Sequence, residues 1–372
     1  MLWAILFGGM LLLCLGGVLL LVCGVRKFRF VTLLSHGNRA AGWLIAAAVI
    51  LLPLGLLWAL WGYVNAGIVL LHLMVFWGVA ALVQRMVQGC RRRPLRRNYA
   101  GIAAVLLTVL YFGFGFVQAN RVWQTDRTLT TEKQLGTLRV ALLADAHVGT
   151  TFDGEGLNAH IDRIQAQQPD VVVIAGDFVD EDTKKEDMIA ACQALRRLEV
   201  KYGVYFVFGN HDKGRYANGR RGYSGEDLIA ELEKNGVTVL QDEAVLIDNR
   251  FYLIGRQDAS EETDFGGRRA DIAELTEGLD HDKYMIVLDH QPRDYDREAG
   301  AEVDLVLSGH THGGQMIPIG QVMQWFRLAD RVYGYERRQS TDFFVTSGIS
   351  DWAFRFKTGC RSEYVMLEIA GK

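Results

Sequence analysis

The sequence predicts two regions of different kind: a four-helix transmembrane region, then an α/β domain built on two mixed β-sheets. Three observations lead there. The first 120 residues contain no Asp or Glu, so every acid lies beyond them. Four long apolar stretches fill that acid-free part. Beyond it, short β-branched and aromatic runs end, one after another, in blocks of Asp, Asn and His. Residue types with oxygen and imidazole donors, hung on strand ends, mark the working edge of an α/β sheet.

The 372-residue chain is 50% hydrophobic with a formal net charge of −3. Residues 1–120 hold ten Lys or Arg, which leaves 43 acids against 30 bases in the remainder. Such asymmetry means two different surroundings. The apolar stretches 2–23, 43–64, 66–83 and 100–117 are each about 18–22 residues, enough to cross ~30 Å of hydrocarbon as helices. The first has no basic segment before its apolar core and is followed by three more, so it reads as an anchor and not as a cleaved signal. The loop after the first span carries Arg26, Lys27, Arg29 and Arg39, and the loop after the third carries Arg85, Arg91, Arg92, Arg93, Arg96 and Arg97. The connection Gly62–Asn65 has no charge. Positive-inside logic puts both basic loops in the cytoplasm. The expectation is a multi-pass protein of the inner membrane whose N-terminus and acidic C-terminal region face the periplasm or the outside. Binding of the Arg91–Arg97 loop to anionic headgroups puts it at the same leaflet. His72, inside the third span, is a functional candidate by default, but no span holds a partner charge, which favours neutral helix packing. The same lack of acids makes the spans poor material for coupled transport.

Of five cysteines, Cys14 and Cys23 fall in the first span and Cys90 in a basic loop. Cys192 and Cys360 are expected as two buried free thiols, with a disulfide as the alternative, and no C-x-x-C pattern offers sulfur to zinc.

Residues 121–137 are polar and read as a link; residues 138–372 form the domain. Its strands are expected at 138–144, 171–175, 204–208, 285–288 and 303–307, with amphipathic helices at 157–167 and 188–198. Asp145, Asp177 and Asn210 are spaced by 32 and 33 residues, the length of a βαβ unit. Ser224 to Asp227 reads as a capping box opening a helix that Asn235-Gly236 closes. Stretches 237–240, 245–247 and 251–254 read as a second, more antiparallel set, and 364–369 as the last strand. No 20–50-residue repeat is apparent.

Five blocks carry the chemistry: Asp145-Ala146-His147, Gly176-Asp177, Gly209-Asn210-His211-Asp212, Asp289-His290 and Gly309-His310-Thr311-His312. One such histidine alone is usually a satisfied core or surface group; five in register with acids and an amide are not. In type and order the blocks resemble the calcineurin-like metallophosphoesterases, whose pattern is D-x-H, G-D, G-N-H-D/E, H, G-H-x-H. The match runs over roughly 138–370. The resemblance implies a four-layer αββα sandwich. It implies that Asp145, His147 and His312 hold one metal, that Asn210, His290 and His310 hold another, and that Asp177 bridges them. Mixed carboxylate, imidazole and amide donors suit two divalent transition ions such as Mn, Fe, Zn or Co. Such a pair lowers the pKa of a bridging water for in-line attack on phosphorus. Two divalent ions, two aspartates and a hydroxide leave roughly +1 facing an anionic substrate.

By the same resemblance His211 protonates the leaving oxygen. Asp180 matches the position that orients this histidine in the related phosphoprotein phosphatases. Glu181, however, stands where those phosphatases place a phosphate-gripping arginine, which counts against a phosphoprotein substrate. Gly313-Gly314-Gln315 extends the last block to G-H-T-H-G-G-Q, which with Asp289-His290-Gln291-Pro292 is similar to the bacterial membrane-associated branch. The two glycines are expected to let backbone approach the metals. His160 and His281 lie outside the blocks and read as solvated surface.

The leading reading is therefore a membrane-anchored, binuclear-metal phosphoesterase. A catalytically weak metal-binding sensor or scaffold at the membrane is the alternative; the complete ligand set and His211 speak against it. The acidic balance of the domain disfavours nucleic acid. Trp325-Phe326-Arg327 and Trp352-Ala353-Phe354-Arg355-Phe356 are aromatic clusters with an arginine each. They are either sandwich core or an apolar wall beside the metals. The second alternative, on a domain tethered to a bilayer, leads to a lipid or lipid-linked phosphate ester as substrate.

Overall fold

The computed structural model describes residues 2–92, 98–217 and 219–372, with side chains from Cys14 onward. Arg93, Arg96 and Arg97 of the expected basic loop lie outside the described residues. The chain divides into two compact units, Met1–Gly115 and Phe116–Lys372.

Helices make up the first unit: α1 (Leu2–Val25), α2 (Arg29–Leu34), α3 (Arg39–Arg91) and the greater part of α4 (Tyr99–Asn120). Among the described residues, α3 and α4 are long and apolar enough to cross a membrane, and Cys14–Val25 is a shorter apolar piece. A 53-residue helix would run about 80 Å at 1.5 Å per residue, far beyond ~30 Å of hydrocarbon. The helical path of α3 is interrupted at Gly62, whose φ of 82° and ψ of 168° are open to glycine at little cost. His72 Nδ1 lies 2.9 Å from the Ile68 carbonyl, and the ring stacks on Tyr111 at 5.1 Å, the contacts of a packing residue.

Two six-stranded mixed sheets form the second unit. The first takes β1 (Trp123–Thr130), β2 (Thr137–Leu143), β3 (Val171–Ala175), β4 (Val204–Val207), β5 (Val237–Val239) and β12 (Glu363–Ala370) in the order β1-β12-β2-β3-β4-β5. The second takes β6 (Glu243–Ile247), β7 (Phe251–Gly255), β8 (Tyr284–Leu288), β9 (Leu305–Ser308), β10 (Gly334–Arg338) and β11 (Thr341–Val345) in the order β10-β11-β9-β8-β7-β6. Connecting them are α5 (Leu157–Gln165), α6 (Lys185–Leu195), α7 (Gly225–Lys234), α8 (Ser260–Thr263), α9 (Ile272–Thr276), α10 (Tyr295–Gly300) and α11 (Ile319–Trp325).

Period-2 alternation sets the layers. Leu138, Val140 and Leu142 of β2 join Phe251, Leu253, Ile286 and Leu288 in one buried cluster between the sheets. Their neighbours Ala141 and Leu143 face a second cluster with Ile161 and Ile164 of α5, Met188 of α6 and Leu228 of α7. On the far side, Ile254, Val287 and Phe343 meet Ile272, Tyr295 and Ala299 from α9 and α10. Helices therefore cover the outer face of each sheet. The capping box at α7 is formed in both directions, between Ser224 and Asp227.

Three expectations need correction. Residues 123–130, expected within a link, form the edge strand β1, paired in parallel with β12 from Trp123↔Glu363 to Thr130↔Ala370. Their polar character fits an edge strand, where only Leu129 is buried. Residues 237–239 belong to the first sheet, parallel to β4, because the crossover through α7 returns the chain in the same direction. His160 is half-buried against Phe152, with ring centroids 5.0 Å apart, and burial holds its pKa down at about 4. Cys192 and Cys360 are both free and buried.

Candidate metal centre

Every block emerges just past the C-terminal end of a parallel strand: Asp145 after β2, Asp177 after β3, Asn210 after β4, His290 after β8 and His310 after β9. Strand register thus brings both sheets to one edge. The turns there are unusual in backbone. Asp145, His147, Asp177, His310 and His312 all adopt positive φ, between 36° and 70°. A left-handed conformation at non-glycine residues costs of order 1–3 kcal/mol each and persists only where the surroundings over-determine it. Glycines let the turns interlock: a Cβ on Gly209 would stand 2.2 Å from Asp177 Oδ1, and one on Gly309 would stand 2.6 Å from Asp145 Oδ2.

The side chains converge in two groups whose donor atoms lie within 4.8 Å of one another: Asp145 with His147 and His312, and Asp177 with His290 and His310. Asp177 Oδ2 is 3.0 Å from His290 Nε2 and 3.7 Å from His147 Nε2, so one carboxylate faces histidines of both groups. Asn210 is buried, and its Oδ1 has no hydrogen-bond partner; neither has His312 Nδ1 nor either ring nitrogen of His147. Buried polar atoms left this way are costly in a folded protein, and a cation is what the lone pairs among them fit. His290 is oriented for this role, since its Nδ1 meets the Ala175 carbonyl at 2.7 Å and leaves Nε2 directed at Asp177. Six of the seven expected ligands therefore fall in these two groups, and Asn210 lines the same cavity as Asp177, His310 and His312.

The electrostatics are those of a crowded, buried polar cluster. Burial pushes the Asp145 carboxyl up to about 6. Burial also works on Asp177, but the charge and hydrogen bond of His290 hold it well below the usual range. Burial and neighbouring imidazolium charge push His310 down to about 3.

Asp212, which closes the Gly209-Asn210-His211-Asp212 block, holds the turns of the site in place. Its Oδ2 accepts from the backbone N–H of Asp177 at 2.8 Å and of Gly209 at 2.7 Å. Its Oδ1 accepts from Phe178 at 2.8 Å and Val179 at 3.0 Å. One fully buried carboxylate thus ties together the turns that carry Asp177 and Asn210. Asp289 does similar work for His290, as its Oδ2 receives Arg256 Nη1 at 2.8 Å and also Arg269.

The expected pairing of Asp180 with His211 is not what the structure contains. Asp180 Oδ1 is engaged by the backbone N–H groups of Asp182 and Thr183 at 2.9 and 3.0 Å. That turn aims Oδ2 at His147 Nδ1, 3.5 Å away. Glu181 reaches His211 Nδ1 instead, at 2.8 Å, because its side chain is one methylene longer and starts one residue further on. Burial alone would lower the His211 pKa; the Glu181 hydrogen bond and the charge of Asp177 raise it to about 9. The glycine expectation also changes. Cβ atoms on Gly313 and Gly314 would collide with Cys360 and with Gly320 of α11, so these glycines pack the loop against its own surroundings.

A cavity of about 610 Å³ opens over the cluster, lined among others by Asp177, Asn210, His211, His310 and His312. Its apolar wall is Tyr216, Ile319, Met323, Trp352 and Phe354. Trp352 and Tyr216 flank the His211 ring at 5.3 and 5.2 Å. The two alternatives for the aromatic clusters divide residue by residue: Phe356 is core at 2% exposure, Trp352 and Phe354 line the cavity, and Trp325 and Phe326 are exposed at 76% and 72%.

Residues 138–314 match the family described as calcineurin-like phosphoesterase. A metallophosphoesterase of Aquifex aeolicus is 36% identical over 220 residues, covering 58% of this chain and 79% of that protein. One from Helicobacter pylori strain J99 is 28% identical over 303 residues, covering 80% of this chain and 77% of that protein. A Bos taurus protein named transmembrane protein with metallophosphoesterase domain is 28% identical over 249 residues, 63% of this chain and 53% of its own length. Among solved structures, a dimetal phosphatase from Danio rerio aligns with a TM-score of 0.38 at 14% identity, over 57% of this chain and 87% of that one. The chain belongs to the calcineurin-like metallophosphoesterase family.

Asp212→Asn replaces one acceptor oxygen by an NH₂ group facing backbone donors. We expect a loss of roughly 2–4 kcal/mol in denaturant unfolding, together with weaker metal affinity in calorimetric titration. Unchanged unfolding and unchanged affinity would remove Asp212 from this role.

Proposed function

We propose that the protein is a membrane-anchored, binuclear-metal phosphoesterase acting on a lipid or lipid-linked phosphate ester. The observation that carries the reading is the convergence of six acid and histidine side chains from two sheets in two groups, with Asp177 facing both and the unpartnered Asn210 Oδ1 lining the same cavity. Asp145, His147 and His312 would hold one ion, Asn210, His290 and His310 the second, and Asp177 both. Divalent transition ions such as Mn, Fe, Zn or Co would supply Lewis acidity toward the phosphate and an acidified water nucleophile.

The chain's own residues do the rest. Glu181 holds His211 Nδ1, fixes the ring and favours its protonated form, leaving Nε2 to protonate the leaving oxygen. Asp180 lies behind His147 and orients a metal ligand. Trp352 and Tyr216 wall the leaving-group side and exclude water from it. Apolar lining from Ile319, Met323 and Phe354 supports an ester with a hydrocarbon part.

For the first unit we propose four spans, with the break at Gly62 dividing α3 into the second and third. The phosphoesterase unit would then face outside, as the basic loops require. A reporter active only outside the cytoplasm should give signal when fused after Val117 and none when fused after Arg97; the reverse pattern inverts this topology.

The catalytic assignment is tested by leaving-group dependence. His211→Ala should lower kcat by ~10²–10⁴-fold for alkyl phosphates and far less for nitrophenyl esters. Glu181→Gln should follow the same pattern more weakly, whereas Asp180→Asn should raise the metal concentration needed for half-maximal rate. Equal losses for both ester types in His211→Ala would assign that histidine to structure or phosphate binding.

A further inference from the structure

The segment from Ile317 to Leu328 is at odds with a soluble surface. It contains α11, a helix with no buried residue. Ile317, Ile319, Trp325, Phe326 and Leu328 are exposed at 48%, 40%, 76%, 72% and 57%. In a region with 43 acids, no Asp or Glu occurs from Gly309 to Ala329, and Arg327 sits among the exposed apolar side chains. Trp, Phe and Leu flanking an arginine, without acids, is the composition of a bilayer interface, where rings settle at the headgroup level and a cation meets phosphate. The patch is also continuous with the cavity, because Ile319 and Met323 of the same helix line it. Only Arg121 and Val122 separate α4 from β1, so no long tether intervenes.

We propose that Ile317–Leu328 is a membrane-surface lip. Trp325, Phe326 and Leu328 enter the headgroup region of a bilayer, and Ile319 and Met323 guide the apolar part of an amphiphilic phosphate ester from that bilayer to the site. The lip rests on the lipid-ester reading above for its use, but its contact with lipid is measured independently. A second copy of the chain is the other occupant the patch would suit, and the experiment separates the two.

The full chain, with Cys14, Cys23 and Cys90 replaced by Ala, carries Phe326→Cys or Arg196→Cys as a control, each labelled with an environment-sensitive fluorophore. It is reconstituted at one copy per nanodisc in mixed phosphatidylcholine and phosphatidylglycerol, with or without headgroup-proximal spin-labelled lipid. The lip predicts blue-shifted emission and several-fold stronger quenching at position 326 than at 196. Aqueous emission without lipid quenching at 326 overturns it, as does a blue shift that appears only with two copies per disc. In parallel, Trp325→Ser with Phe326→Ser should cut kcat/KM for a bilayer-embedded phosphate ester by ~10-fold and leave nitrophenyl phosphate hydrolysis unchanged. Equal loss on both substrates contradicts the lip. Quenching at 326 without hydrolysis of any lipid ester keeps the lip's lipid contact and rejects the lipid substrate.

Discussion

Four backbone N–H groups converging on the Asp212 carboxylate are the constraint on which the centre depends. The turns after β3 and β4 carry Asp177, Asn210 and His211, and neither turn has a regular ladder to hold it. Charge-assisted hydrogen bonds to a fully buried acid supply that hold in a region of low dielectric. The His211 N–H in turn donates to Asp177 Oδ1 at 2.9 Å, so the carboxylate that faces both groups is fixed from the same direction. With those turns set, Asp145 accepts the His310 N–H and links the first sheet to the second.

The sandwich makes this possible because its two sheets present parallel strand ends at one edge. Alternation along β2 and β8 sends one set of side chains between the sheets and the other outward to helices. Rigid strands carry the polar turns, and the apolar layers keep them from relaxing. Five positive-φ residues among the donors show how strongly the packing dictates the turn geometry. The outer polar supports are equally buried. Glu298 is fully enclosed beside Arg256, and burial together with the neighbouring Asp289 charge raises its pKa well above the usual range.

Much of this was legible in the sequence, and the reasons are specific. The strands bearing the blocks are short apolar runs ending in chemically distinctive residues, so Asp145, His147, Asp177, Asn210, His290, His310 and His312 could be named, and all meet in one place. Less legible was β1, whose alternation is hidden because an edge strand buries only Leu129. The β10–β11 hairpin was missed too: Gly334–Arg338 is polar on one side and reads as loop until Tyr335 pairs with Phe344. The partner of His211 could not be read from spacing. Asp180 and Glu181 are adjacent acids, and the choice between them turns on hydrogen bonds within the Asp180–Thr183 turn. Trp352 and Trp325 look alike in sequence, yet one walls the cavity and the other faces solvent.

The central claim is that two metal ions occupy one site held by two sheets. Elemental analysis of the full chain after reconstitution, in parallel with Asp145→Asn and His290→Ala variants, addresses it most directly. The account predicts two ions per chain in the parent protein and about one in each variant, with both variants still folded. Hydrolysis retained in strong chelator, with no metal bound to the parent chain, would contradict it.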